Sequence, residues 1–416
     1  MGEMRFLKLA TLQQVYSEYL QFVNPLDRVE QISVLESLGF VSAEDIPARQ
    51  DLPGFNKSLV DGYAVRAKDT TGASTSFPVI LRFAFEVKVG EEPKRPLGQN
   101  EAAWIATGAM LPIGADAVVM AEHTQRFGEY VEVMKPVAVG ENVFKKDDDV
   151  KLGQLIVTKG VRIGPGHLQL MFQLGIQRLK VFRRVSVGVI STGDEIVEPF
   201  EQNKSIAQVR DSNSYTLECW LKSLGFRIER VGLCRDDEEM LFKMLKDSMK
   251  NYDAIVIVGG SSIGTRDFTE SAMNRSGKPG VIFHGILMQP GKPTVLGLLD
   301  GKPVVGLPGN PVSFTVSARF VLLPILRKLE GEIDFLPKPV GMVKLARNVS
   351  SRQGREHFVR VKLFVRDAQV WAEPLESETA QVSNLAMADG VIRLPANIEG
   401  LYAGDSAEFY PLWSGW

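Results

Sequence analysis

Between residues 180 and 330 the sequence alternates short apolar runs with longer amphipathic stretches. The runs VSVGVIST, DAIVIVGG, GVIFHGILM and KPVVGLP predict buried strands. The stretches SNSYTLECWLKSLGF and DDEEMLFKMLKDSMK have helical spacing, and NPVSFTVSARFVLLPIL predicts a helix with Pro311 in its first turn. Apolar strands alternating with helices are typical of a parallel sheet covered on both faces. We therefore predict a central α/β domain with a parallel-type sheet.

The rest of the chain divides into further regions. Residues 9–40 and 167–174 show helical spacing that ends at Gly39 and Gly175. Short β-branched runs between turns indicate a β-rich region before residue 140, and similar runs after about residue 336 predict a small barrel or sandwich. The predicted domains are a split helical domain at 1–45 and 140–180, a β-rich insertion at 46–139, the α/β domain at 181–332 and a C-terminal β domain at 333–416.

Composition excludes several classes of protein. The net charge of −2 gives no basic excess of the kind that binds nucleic acid or an anionic membrane. No apolar run reaches the roughly 18 residues that a membrane span needs. The first residues, MGEMRFLKLATLQQ, lack the pattern of a secretion signal. We therefore expect a cytoplasmic protein in which Cys219 and Cys234 are reduced.

Polar loops follow the predicted strands of the α/β domain. IVIVGGSSIG, VGVISTGDEIVEP and VVGLPGNPVSF each run from a strand into such a loop, and QPGKPTVLG contributes Lys292. Ligands of α/β sheets bind beyond the strand ends, where glycine turns present backbone N–H groups to anions. Asp194, Glu195 and Asp267 suit a divalent cation that bridges phosphate oxygens. Taken singly, each loop is equally explained as a turn, and each carboxylate as a cap or solvated group.

A second polar cluster precedes the α/β region. QDLPGFNKSLVDGYAVR contains Asp61, which the sequence alone explains equally well as a turn residue. Thr107 lies in another small polar turn, Glu122 is expected near the end of a strand, and the charge run KKDDDV is typical of a solvated loop. The four histidines show no ligand spacing, so neither a zinc site nor a Ser-His-Asp arrangement is predicted.

Nine short motifs in a fixed order resemble the MoeA/gephyrin-E family, the molybdopterin molybdenumtransferases, over almost the whole chain. They are DLPGFNKSLVDGYAVR, IATGAMLPIGADAVVM, GENV…DDDV, STGDEIVEP, RDSNSYTLECWLKSLGF, GGSSIGTRD, QPGKPTVLG, GLPGNPVS and SNLAMADGV. The resemblance implies a molybdopterin-binding α/β fold and a C-terminal β-barrel. It also implies insertion of molybdate into adenylylated molybdopterin, release of AMP and assistance by Mg²⁺.

The family also suggests partners. Its members are elongated homodimers in which the β insertion lies across a cleft from the partner subunit's α/β domain. Molybdopterin adenylyltransferase and maturation proteins of molybdoenzymes are further expected partners, whereas nucleic acid and membranes are not.

The resemblance carries roles onto matching positions of this sequence. Asp61 is the catalytic candidate, with Thr107 near it, and Glu195 and Lys292 complete the predicted catalytic set. Metal ligands are expected at Asp267 and Glu195. Lys292 and the turn from Pro308 to Ser313 are expected to hold phosphate or molybdate. The expected substrate-binding residues are Asp149, Asp211, Ser212, Asn213, Gly259, Gly260, Ser262, Gly264, Pro308, Gly309, Asn310 and Ser313.

Four departures from the family pattern leave alternatives open. Thr265 stands where many members have an acid, and Gln289 where a lysine often precedes Pro-Gly-Lys. Val60 replaces a common methionine, and Thr379–Ala380 stand where small residues including glycine are frequent. A non-catalytic cofactor-binding or tungstate-handling relative is therefore the alternative to the transferase. A nucleotide hydrolase that shares only the α/β domain disagrees with the motifs outside 180–330.

Overall fold

A computed structural model of the chain describes residues 9–259, 266–375 and 381–413. The chain forms two compact units. The first unit comprises Met1–Glu44, Lys159–Gly164 and Arg178–Trp416, and the second comprises Asp45–Thr158 and Pro165–Gln177. Within the described ranges, every helix is too short or too polar to cross a membrane.

The chain begins with a short helix, α1 (Leu12–Ser17), rather than a long one. Thr11 and Gln14 exchange side-chain and backbone hydrogen bonds in a capping box that fixes its start. A short 3-10 helix, Tyr19–Phe22, and then Pro25 follow, and the next strand is β1 (Val29–Ser33). The helical prediction for 9–40 is therefore confirmed at α1 and wrong at β1.

The second unit is β-rich, as predicted. Its strands are β2 (Ile46–Pro47), β3 (Lys57–Ser58), β4 (Gly62–Val65), β5 (Val79–Val87), β6 (Glu101–Ile105), β7 (Ala117–Met120), β8 (Thr124–Phe127), β9 (Tyr130–Val133), β10 (Val143–Phe144) and β11 (Leu155–Val157). Six of them form a sheet in the order β7-β4-β6-β5-β9-β8, with apolar clusters on both faces. Helix α2 (Pro165–Gln173) ends before Gly175, as predicted. It belongs to the second unit.

The first unit resumes with β12 (Arg178–Phe182), which pairs antiparallel with β1 over five residues. Helical spacing in a sequence cannot reveal this pairing, because it joins segments almost 150 positions apart. Long-range pairing therefore overrides the local pattern at β1.

The α/β domain follows β12. Its strands are β13 (Ser186–Thr192), β14 (Ile196–Val197), β15 (Val209–Arg210), β16 (Arg227–Cys234), β17 (Ala254–Val258), β18 (Pro279–His284), β19 (Met288–Gln289), β20 (Val295–Leu299) and β21 (Lys302–Leu307). Its helices are α3 (Asn213–Ser223), α4 (Glu238–Asn251), α5 (Arg266–Ser276), α6 (Pro311–Ser317) and α7 (Leu323–Leu329). A π-helical turn, Ala318–Leu322, joins α6 to α7.

The central sheet has the order β16-β13-β17-β21-β20-β18. The first four strands are parallel, as predicted, whereas β20 pairs antiparallel with both of its neighbours, β21 and β18. The cause is the two-residue turn Asp300–Gly301, whose φ angles of 48° and 84° suit a tight hairpin between β20 and β21. Helices α3, α6 and α7 cover one face, and α4 and α5 cover the other.

The C-terminal region is a closed barrel, which decides between the two predicted alternatives. Its elements are β22 (Gly341–Leu345), β23 (Val349–Ser350), β24 (Glu356–Arg366), β25 (Gln369–Pro374), α8 (Val382–Met387), β26 (Gly390–Leu394), β27 (Gly400–Leu401) and β28 (Ser406–Tyr410). The strands β24-β25-β22-β28-β26 close on one another through the β24–β26 pair, and β19 adds to β24. Val343, Leu345 and Phe409 fill the interior.

Candidate functional site

A cavity of about 340 Å³ lies at the carboxyl ends of the central parallel strands. Ser191 and Thr192 end β13, Gly259 follows β17, and Gly309 and Asn310 follow β21 around its wall. From β13 the chain continues to β16 on one side, whereas β17 leads toward the opposite edge of the sheet. Such reversal points form the ligand crevices of α/β sheets. The cavity is called the switch-point cavity below.

Backbone-to-backbone packing shapes this cavity. Gly259 has a φ angle of +110°, and a Cβ atom there would lie 2.3 Å from the carbonyl oxygen of Thr192. A Cβ atom on Gly309 would meet only the Cα atom of Gly259, at 3.5 Å. Only glycine therefore fits at position 259, where the loops after β13, β17 and β21 converge.

A buried carboxylate organises one wall of the switch-point cavity. Asp211 Oδ2 accepts hydrogen bonds from the hydroxyls of Ser191 and Ser214 at 2.6 and 2.5 Å, and Oδ1 accepts from the Ser214 N–H at 3.1 Å. The Arg230 guanidinium lies 4.0 Å away. Asp211 thus uses its oxygens to fix the first turn of α3 against β13. Its geometry is that of a positioning residue.

Two asparagines also line the switch-point cavity. Asn213 Nδ2 donates to the carbonyl oxygen of Gly309 at 2.8 Å, so the start of α3 is tied to the turn before α6. The Asn310 Oδ1 atom is buried and has no hydrogen-bond partner among the residues that the structure describes. Buried acceptors are normally paired, so this oxygen is available to a ligand that carries N–H or O–H groups.

Acidic residues lie at one end of the cavity. Glu195 and Asp236 line it, and the backbone N–H of Asp236 donates to Asp194 Oδ1 at 3.3 Å. Partial burial raises the pKa of Asp236, and the charges of Asp194 and Glu195 raise this pKa further. Sequence reasoning missed Asp236, although its position directly after β16, at the same edge of the sheet, is a usable signal.

A separate cleft of about 560 Å³ contains Lys292. We call it the basic cleft, because its lining includes Lys292, Arg352 and Arg355. Ser313 of α6 also lines this cleft, whereas Asn310 lines the switch-point cavity. The other lining residues are Met288, Gln289, Pro290, Gly291, Pro293, Ser350, Ser351 and His357.

Asp61 and Thr107 meet in the second unit. The backbone N–H and the hydroxyl of Thr107 donate to the same oxygen, Asp61 Oδ1, at 2.7 and 3.0 Å. The backbone bond and then the hydroxyl bond lower the pKa of Asp61, so its carboxylate is ionised at neutral pH. Asp149 of the same unit is exposed, and its N–H donates to the carbonyl oxygen of Leu52 at 3.0 Å.

The structure thus groups the predicted residues into three sets. The switch-point cavity unites Glu195, Asp211, Ser212, Asn213, Gly259, Gly309 and Asn310. The basic cleft contains Lys292 and Ser313, the second unit contains Asp61, Thr107 and Asp149, and Pro308 is buried beneath the turn. Gly260, Ser262, Gly264, Thr265, Thr379, Ala380 and the side chain of Asp267 lie outside the described residues, so their roles stay predictions.

Both cysteines are unpaired: Cys219 is exposed and Cys234 is buried. Within the described ranges, no three His, Cys, Asp or Glu side chains are arranged as a ready-made metal site.

Three family models together match most of the chain. They are the MoeA N-terminal region (domain I and II) at residues 10–175, the probable molybdopterin binding domain at 188–328 and the MoeA C-terminal region (domain IV) at 342–412.

Similar proteins match along the full length. A putative molybdopterin biosynthesis protein of Methanocaldococcus jannaschii is 37% identical over 96% of each chain. A molybdopterin molybdenumtransferase of Staphylococcus aureus is 28% identical, covering 91% of this chain and 90% of that protein. The solved molybdopterin biosynthesis MoeA protein of Pyrococcus horikosii is 37% identical, with a TM-score of 0.76 over 98% of this chain and 100% of that chain. With three matching regions in one order and full-length relatives, the chain belongs to the MoeA family.

Proposed function

We propose that this chain is a molybdopterin molybdenumtransferase, which inserts molybdate into adenylylated molybdopterin and releases AMP. The family places it among the transferases of molybdenum cofactor biosynthesis. One observation carries the detailed proposal: two compartments, the switch-point cavity and the basic cleft, lie along the same first turn of α6. The non-catalytic alternative has no comparable support.

The switch-point cavity suits the nucleotide end of the substrate. Backbone N–H groups in glycine loops and at a helix start bind phosphate oxygens, and Asn310 Oδ1 can accept from an amino group of the ligand. Ser191 and Ser214 hold Asp211 in place, and Asp211 holds the start of α3 against the cavity.

One or two of the carboxylates of Asp194, Glu195 and Asp236, together with phosphate oxygens of the substrate, would hold Mg²⁺. Their carboxylate oxygens are the ligands that this ion prefers. Burial and then the charges of Asp194 and Glu195 raise the pKa of Asp236, and a bound cation would oppose both effects. Proteins usually hold Mg²⁺ with one or two carboxylates and the phosphates of the substrate. When bound, Mg²⁺ would offset negative charge on the phosphate oxygens as AMP leaves.

The basic cleft suits molybdate. Lys292, Arg352 and Arg355 supply three positive charges, and Ser313 and Ser350 add hydroxyl donors. Gln289 leaves the cleft without the additional lysine of many relatives. The three remaining cations exceed the charge of a dianion by one.

Asp61 supplies an ionised carboxylate with a fixed orientation. Thr107 uses both its N–H and its hydroxyl to hold one carboxylate oxygen, which leaves the other oxygen to act on the substrate. This is the geometry of a general base that is held by its neighbour.

The test is molybdate-dependent release of AMP from adenylylated molybdopterin by the purified protein with Mg²⁺. We expect release by the wild type and by the surface control Glu92→Ala, and a loss of at least about 100-fold for Asp61→Ala. Absence of molybdate-dependent release, or full release by Asp61→Ala, contradicts the proposal.

We further infer a cytoplasmic homodimer on the strength of the family resemblance. Light scattering coupled to size exclusion should give twice the chain mass of 46.0 kDa. A mass of one chain at assay concentration contradicts the dimer.

A further inference from the structure

Two buried polar atoms in the basic cleft have no hydrogen-bond partner within the described part of the molecule. They are Nδ1 of His357 and Oγ of Ser351. A buried polar atom without a partner costs free energy, typically about 1–3 kcal/mol. Two such atoms in one cleft beside three cations indicate a ligand that supplies the missing bonds.

The backbone fixes the position of His357. It lies on β24, where its Cα atom pairs with Gln289 on one side and with Leu394 on the other. The next residue, Phe358, stacks on Phe320 of the π-helical turn with ring centroids 4.1 Å apart. His357 therefore stands on a rigid strand directly opposite the residue that precedes the Pro290–Pro293 turn.

His357 also separates two neighbouring spaces. It lines the basic cleft and an adjoining cavity of about 250 Å³, and Gln289, Pro290 and Ser350 line both as well. A ligand held in the cleft therefore meets this imidazole at the inner wall.

The imidazole is neutral at physiological pH. Burial, followed by the charge of Arg355, lowers the pKa of His357 to about 4. A neutral imidazole carries one N–H donor and one acceptor nitrogen. His357 thus adds a hydrogen-bond donor to the cleft but no fourth positive charge.

We propose that His357 is a specificity-determining contact of the basic cleft: its Nδ1–H, together with the Ser351 hydroxyl, hydrogen-bonds a fully deprotonated tetrahedral oxyanion. This inference rests on the proposed function, which places molybdate in the same cleft. The charged lining groups are Lys292, Arg352 and Arg355, which only donate hydrogen bonds. No carboxylate lines the described cleft, so an oxyanion that retains a proton finds few acceptors there.

Substitutions that mimic each ring nitrogen test the inference. The side-chain amide of asparagine can occupy the place of Nδ1, whereas that of glutamine reaches the place of Nε2. Titration of the full-length protein with sodium molybdate in a calorimeter measures the dissociation constant. We expect His357→Gln and His357→Phe to weaken binding about tenfold or more, and His357→Asn to stay within about threefold of wild type. Ser351→Ala should weaken binding by a smaller factor.

The control Lys292→Met separates the two proposals. If Lys292→Met loses molybdate binding while folded His357→Gln binds like wild type, the His357 contact is overturned and the cleft assignment stands. Equal losses in His357→Asn and His357→Gln also overturn the Nδ1 contact. If the wild type fails to bind molybdate, both proposals fall. Thermal unfolding of each variant verifies that the protein is folded.

Discussion

Replacing Asp211 by asparagine tests whether the buried carboxylate organises the switch-point cavity. Asparagine keeps the shape but turns one oxygen into an NH2 group. In one orientation this group faces the N–H of Ser214, and in the other it faces the two serine hydroxyls. Either orientation removes at least one charge-assisted hydrogen bond, worth about 1.5–3 kcal/mol, and the favourable charge at the start of α3, worth about 0.3–1 kcal/mol.

We therefore expect Asp211→Asn to lower the free energy of unfolding by about 2–4 kcal/mol. If the serine hydroxyls rotate so that their oxygens accept from the new NH2 group, the decrease in the free energy of unfolding should be near the lower limit of this range. Urea denaturation followed by circular dichroism measures the change.

Ser212→Ala is the matched control for Asp211→Asn. Ser212 is exposed, and its side chain makes no capping bond at the start of α3. Its substitution should change the free energy of unfolding by less than about 0.5 kcal/mol. If Asp211→Asn is equally neutral, the carboxylate does not organise this wall, and our account of the cavity fails.

Three further substitutions address the other parts of the site. Gly259→Ala should destabilise the protein by about 2 kcal/mol or more in thermal unfolding, because its Cβ would lie 2.3 Å from a carbonyl oxygen, whereas Gly309→Ala should be tolerated. Thr107→Val removes the hydroxyl bond that lowers the pKa of Asp61, so the acidic limb of the pH–rate profile should move to higher pH, and an unmoved limb would contradict this role. Lys292→Met should raise the KM for molybdate about tenfold or more but leave the affinity for AMP, measured without molybdate, unchanged, since Lys292 lines a separate cleft; a loss of AMP affinity under that condition would argue against two compartments.

Apolar runs and residues typical of helix starts predicted those helices and strands whose formation depends on residues close together in the sequence. The stretch from Asp236 to Lys250 contains the predicted helix, α4, and Pro311 begins α6 as the sequence indicated. The apolar runs at β13 and β17 are fully buried strands because helices cover both faces of the sheet. Such features need no knowledge of distant residues.

Features that depend on distant pairing escaped prediction. The Asp300–Gly301 dipeptide is a hairpin signal, but the alternation of strands and helices predicts a parallel sheet, whereas β20 is antiparallel to both β21 and β18. The separation of Lys292 from Asn310 arises because the first turn of α6 stands between their two spaces. The sequence shows which loops are polar, but not on which side of a helix each one opens.

The first turn of α6 lies between the switch-point cavity and the basic cleft and lines both. Asn310 faces the switch-point cavity and Ser313 faces the basic cleft, and three residues of helix separate them by only about 4.5 Å along the axis. Any shift of this turn that improves the fit on one side must alter the fit on the other. Loading of the nucleotide and of the oxyanion should therefore be thermodynamically linked, each changing the affinity for the other by the same factor.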